Sequence, residues 1–174
     1  MMQTATRFVN PTAEAKAILA RYWNGRIPVD VESIAQQMGV KIETLNPFAA
    51  GGISGEIEFL EDQPVIRVNA ADPQTRRRFT IAHELGHLVL GHLADEKEFR
   101  DPSKNYTLGN YNPKERDANY FAAALLMPDD AVRAYAASME NPSNTTLAKA
   151  FGVSKAAMGI KLKMLGIIPQ WATI

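Results

Sequence analysis

Cysteine is absent from this 174-residue sequence. Disulfides, thiolate metal ligands and a cysteine nucleophile are thereby excluded, and the chain fits a reducing compartment. An excess of charge is lacking too: 19 Lys and Arg balance 19 Asp and Glu, so no global field favours nucleic acid. Long apolar runs are missing. The longest, Phe121 to Met127, is far shorter than the roughly 20 residues needed to span a bilayer. The opening Met1 to Asn10 has no apolar core of the signal-peptide kind. No internal repeat of solenoid length is present. What remains, 46% hydrophobic and 22% charged residues, has the composition of one globular domain with a real core. A soluble, cytoplasmic protein without a membrane partner is the expectation, and nothing in the sequence sets its oligomeric state.

Local patterning predicts an α+β fold. Residues 12 to 23 read as an amphipathic helix ended by Gly25, and Asp30 caps a short helix through Met38 that Gly39 stops. Val40 to Leu45 alternates as a strand does. After the glycine-rich stretch 51 to 55, Glu56 to Leu60 and Val65 to Asn69 predict a hairpin around Glu61-Asp62-Gln63-Pro64. Asp72-Pro73 opens a helix, with Asp72 as cap, that runs to about Leu90 and stops at Gly91. Residues 94 to 114 lack periodicity and read as a long loop or lid. Helices over 114 to 127 and 130 to 138 follow, then the linker Asn141-Pro142-Ser143-Asn144 and two short helices about Gly152-Val153-Ser154. The sheet is expected to be small and mostly antiparallel. Residues 1 to 140 form the main domain, and 141 to 174 a helix-turn-helix-like segment packed as part of it.

Two of the three histidines stand in His83-Glu84-Leu85-Gly86-His87. A helix turns about 100° per residue, so side chains four apart share a face and can aim at one metal ion. Glu84 lies about 100° round from His83, placed to reach a water without ligating the ion. The pattern is the HExxH signature of zinc metallopeptidases. A catalytic zinc takes three protein ligands and leaves one position open. His92 is a poor third ligand: nine residues past His83, it faces the far side of a continuous helix. It is also one residue out of register for the metzincin pattern, which would use positions 90 and 93, here Leu90 and Leu93. His92 reads as a helix-end or surface residue. Glu115 is the better candidate. It shares a helix face with Ala118, Asn119 and Ala122, and the small Ala118, Ala122 and Gly86 would let two helices approach closely. Asn119, one turn on, could accept a hydrogen bond from a ligand histidine's outer nitrogen.

Arg78 to His87, with Glu115-Arg116-Asp117-Ala118-Asn119-Tyr120-Phe121-Ala122-Ala123-Ala124-Leu125-Leu126-Met127-Pro128, resembles the ImmA/IrrE family of zinc metallopeptidases. Weaker similarity extends over Pro28 to Val40, the hairpin, and Leu147 to Ile168. The resemblance implies a zincin-like fold, with His83, His87 and Glu115 as metal ligands and Glu84 as acid and base. It also implies a substrate class, helix-turn-helix transcriptional repressors or antitoxin-like proteins in stress-response or mobile-element regulation. Zinc is the expected ion, and a His₂Glu set also accepts manganese or another divalent ion.

Other features read as structural. Tyr106, Tyr111 and Tyr120 are candidate oxyanion donors with a simpler reading as structural residues, and Arg76-Arg77-Arg78 spreads round its helix as a solvated run. The hairpin's edge offers an extended substrate a strand to pair with. Asn141 to Ile174 holds four lysines and no acidic residue, which admits DNA contact through residues 145 to 168. Lys161, however, falls where a helix-turn-helix packs an apolar residue, so docking on the substrate or completing the domain is the favoured role. The rival to a peptidase is a DNA- or repressor-binding regulator with a non-catalytic zinc site.

Overall fold

A computed structural model of the chain describes residues 9–46, 51–95, 98–102 and 112–168. Helix α1 (Pro11–Tyr22) is capped by Asn10, whose side chain accepts from the Ala13 amide, with Pro11 opening the first turn where its missing donor costs nothing. Asp30 caps α2 (Val31–Gln37) through the Ser33 amide. Gly39 then turns the chain at φ +80° into β1 (Lys41–Leu45). Strands β2 (Ile53–Leu60) and β3 (Gln63–Asn69) form the expected hairpin.

Among the described residues the sheet has four strands in the order β1-β3-β2-β4, where β4 is Glu98–Pro102. Pairing of β1 with β3 is parallel, and the other two pairings are antiparallel. The mostly antiparallel sheet is as expected, but β4 lies in the stretch read as a loop. Its pairing with β2 runs through the backbone, which needs no apolar period and leaves no such trace in sequence. Both hairpin edges are consequently covered, β3 by β1 and β2 by β4, so the hairpin offers no free edge for a substrate strand.

Helix α3 (Gln74–Val89) carries the histidine motif. It starts one residue later than expected: Pro73 is the cap position and Asp72 makes no capping bond. Instead the Asp72 amide donates to the Asn69 carbonyl, closing the turn from β3. A 3-10 turn, His92–Asp95, leads on to β4. Asn112 caps α4 (Pro113–Leu126), with Pro113 in its first turn. α3 packs on α4 on one side and on β2 and β3 on the other, and α1 covers α4. α5 (Asp129–Ala137), α6 (Asn144–Phe151) and α7 (Lys155–Met164) complete the fold. Leu147, Phe151, Met158 and Leu162 of the last two helices belong to the same buried cluster as Ile81, Leu85 and Phe121.

Two basic residues differ from their sequence reading. Arg78 is no solvated member of a run: its Nε donates to the Gly152 carbonyl at 3.1 Å and its Nη2 to that of Val29 at 2.7 Å. It ties the motif helix to the α6–α7 turn, where Gly152 takes φ +63°. Glycine is needed there for φ, and a side chain at 152 would meet the Arg78 Nε at 2.9 Å and press on that contact. Lys161, in its core position on α7, is buried with Nζ on the Asp129 carboxylate of α5. The apolar slot is filled by the lysine stem and closed by an ion pair. No helix among the described residues is long and apolar enough to cross a membrane.

Candidate metal centre

His83 and His87 lie on the buried face of α3, and Glu115 in the first turn of α4 faces them. What permits this approach is the lack of side-chain bulk between the helices. A Cβ on Gly86 would stand 3.0 Å from the Phe121 ring and 3.3 Å from the Ala118 backbone. Small residues at 86, 118 and 122 thus let α3 and α4 meet as the sequence suggested.

The structure brings together the three residues proposed from sequence. His83 Nε2 is 3.0 Å from His87 Nε2. The Glu115 carboxylate reaches both, with Oε2 at 3.2 Å from His83 and Oε1 at 3.4 Å from His87. Among the described residues this is the one group of three such side chains whose donor atoms converge, all within 4.8 Å of one another. Two ligands held about 2.0 Å from a tetrahedral zinc-sized ion stand about 3.3 Å apart, the edge of the tetrahedron. The observed separations match that edge.

Electrostatics supports the same conclusion. Burial by itself would push the Glu115 carboxyl up, but hydrogen bonds and charges from His83 and His87 outweigh it and bring it down to about 2. The carboxylate is therefore ionised. Asn119 Oδ1 stands 2.9 Å from His83 Nδ1, an acceptor that places that ring's proton on Nδ1 and leaves the lone pair on Nε2. Lone pairs and a carboxylate packed this closely repel unless positive charge lies among them. Imidazolium formation is opposed at His87, which burial holds below its ordinary value despite Glu115. The donor set fits a divalent cation.

Residues 35–163 match the family model described as the IrrE N-terminal-like domain, a peptidase family. The chain belongs to this family. The match starts in α2 and takes in α6 and most of α7, and with the α+β architecture and the His-His-Glu cluster it bears out the zincin-like expectation. No curated protein matches the chain.

Around the cluster of this IrrE-like domain, the remaining candidates separate. Glu84 is wholly buried, next to His83 on α3. Tyr120 is half exposed, while Tyr106 and Tyr111 lie outside the described residues. His92, read from sequence as a helix-end or surface residue, sits with its Nδ1 2.9 Å from His87 Nδ1. Burial, with the charges of His87 and Lys114, takes its pKa down to about 4. The sequence signal was Gly91, whose φ of +73° ends α3 and turns the chain back on its last turn.

Gly55 escaped sequence reading as well, as part of a merely flexible stretch. It lies within β2 where the strand crosses α3. A Cβ there would fall 2.3 Å from Thr80 Cγ2, 2.9 Å from the Arg67 carbonyl and 3.8 Å from Glu84 Oε1. Gly55→Ala is expected to cost about 1–3 kcal/mol by overpacking, a fall in Tm of roughly 3–10 °C for a chain of this size. Adding Thr80→Ser removes the nearest methyl and should recover part of that loss in a thermal melt. Strictly additive losses would show that the contact between β2 and α3 is not the cause.

Proposed function

We propose that the protein is a zinc-dependent, site-specific endopeptidase acting on a helix-turn-helix repressor or an antitoxin-like protein. The observation that carries the reading is the convergence of His83 Nε2, His87 Nε2 and a Glu115 oxygen beside the buried Glu84. A metal site that was only structural would not need Glu84. The residues that would hold the ion are His83, His87 and Glu115, with Asn119 orienting His83. Zinc is the ion proposed, and manganese or another divalent ion is the alternative for such a set. When bound, such an ion supplies Lewis acidity, making water a better nucleophile and the scissile carbonyl a better electrophile.

The chain's own part is proton transfer. Glu84 takes a proton from the attacking water as the oxygen–carbon bond forms, and gives it to the amine nitrogen as the carbon–nitrogen bond breaks. Its burial keeps the carboxyl group away from bulk water. The substrate class is supported by family membership and by the neutral overall charge, which gives no reason to expect nucleic acid as the target. The cysteine-free chain suits a reducing cytoplasm, where such repressors act. With Lys161 committed to Asp129, direct DNA contact through 145 to 168 is the secondary reading.

The test is incubation of metal-loaded protein with the repressor encoded beside it, with fragments mapped by mass spectrometry. One discrete cut, lost on chelation and restored by zinc, is the expected result. A stable complex without cleavage would favour the rival, a regulator with a non-catalytic metal site. Digestion of unstructured casein-like chains would indicate a general peptidase.

A further inference from the structure

We propose that His92 is a positioning residue, the acceptor that fixes the ring proton of His87 on Nδ1 and so keeps its Nε2 lone pair directed at the ion. This rests on the metal reading above and adds a residue to it. His87 Nδ1 and His92 Nδ1 are 2.9 Å apart, with the rings edge-on and their centroids 5.0 Å apart. At that distance the two nitrogens share one proton, and one ring must donate while the other accepts. A neutral imidazole carries a single N–H. For His87 to offer Nε2 to a metal its proton must be on Nδ1, so His92 must present its own Nδ1 as a lone pair and carry its proton on Nε2.

The reverse arrangement, with His92 donating, would place a proton on His87 Nε2, 3.0 Å from His83 Nε2 in the centre of the cluster. His92 thus does for His87 what Asn119 does for His83, and the two acceptors come from different elements, α4 and the turn after α3. The turn is itself tied down. Gly91 at φ +73° brings the chain back over the end of α3, and Lys114 Nζ donates to the His92 carbonyl at 3.3 Å. Lys114 precedes Glu115, so the residue that orients one histidine is anchored to the helix that supplies the carboxylate. The same placement explains why His92 sits one residue out of register for a third ligand: its ring meets the outer nitrogen of His87, not the inner one.

Two substitutions separate hydrogen bonding from packing. His92→Phe keeps an aromatic ring against His87 but has no acceptor. His92→Asn loses the ring and keeps an oxygen that can stand near the position of Nδ1. Affinity for cobalt(II) or zinc alone, measured by competition with a chelating dye, should fall about 10–100-fold in His92→Phe and stay near that of the unsubstituted protein in His92→Asn. Nitrogen-15 NMR of the unsubstituted, metal-loaded protein should show His87 protonated at Nδ1, with scalar coupling across the hydrogen bond to His92. This measurement decides the matter even if a variant fails to fold. Unchanged affinity in His92→Phe, equal losses in both variants, or a His87 proton on Nε2 would overturn the proposal and leave the metal reading intact. Failure of the unsubstituted protein to take up one equivalent of metal would defeat the metal reading itself.

Discussion

Glu84→Gln is expected to lower the rate of repressor cleavage by about 10²–10⁴-fold, the usual range for a lost general acid or base, while metal uptake stays intact. Glutamine keeps the shape and the hydrogen-bonding reach of the side chain but cannot accept and return a proton at neutral pH. The fold should tolerate the change. Glu84 is wholly buried, and glutamine has nearly the same size and shape, so the packing around it is kept. The variant should therefore melt close to the temperature of the parent. Such a pattern of retained fold, retained metal and lost turnover belongs to a catalytic residue. Cleavage at the parental rate would remove Glu84 from the mechanism, and joint loss of metal and activity would make it a structural part of the site.

The legible part of this fold was the part whose logic is local. Two imidazoles one helical turn apart, with a glutamate after the first, specify a face and hence a target for both nitrogens. Glu115 was reachable from sequence because Gly86, Ala118 and Ala122 signalled a close helix–helix approach, and the structure has that approach. What remained hidden depends on contacts between distant segments. β4 is held by backbone pairing to β2, and β1 pairs in parallel with β3, not with β2 that follows it in the chain, neither of which any side-chain period encodes. In sequence Arg78 is indistinguishable from its two arginine neighbours, and only the fold brings the Gly152 and Val29 carbonyls to its guanidinium. Lys161 looked like a defect in a helix-turn-helix core, and its partner Asp129 belongs to a different helix. The sequence argument against His92 as a ligand assumed a continuous helix, whereas α3 ends at Val89 and His92 lies in the turn that follows. Its contact with His87 follows only from the chain reversal at Gly91, which rotates it off that helix.

Glu115→Gln should separate the metal from the fold. In the parent, an ion present at 1,000 times its Kd stabilises the folded chain by about 4 kcal/mol, which for this size corresponds to a rise in Tm of roughly 8–16 °C. The Glu115 carboxylate is the single negative charge among the three converging groups, and it faces two imidazole nitrogens at 3.2 and 3.4 Å. An amide in its place keeps one oxygen on the site but cancels the charge that balances a divalent ion. Affinity should then fall by more than the roughly 10–100-fold typical of losing an outer hydrogen-bonding partner, and most of the metal-dependent rise in Tm should vanish at the same metal concentration. Because ligand imidazoles must be neutral to bind, and burial holds His87 below its ordinary value, the parental rise should shrink only once the pH has fallen well below the ordinary histidine range. The measurement is a pair of melts, with and without zinc, for each protein. An undiminished metal-induced shift in Glu115→Gln would mean that the third ligand is some other group, and the close packing of α3 on α4 would then need another explanation.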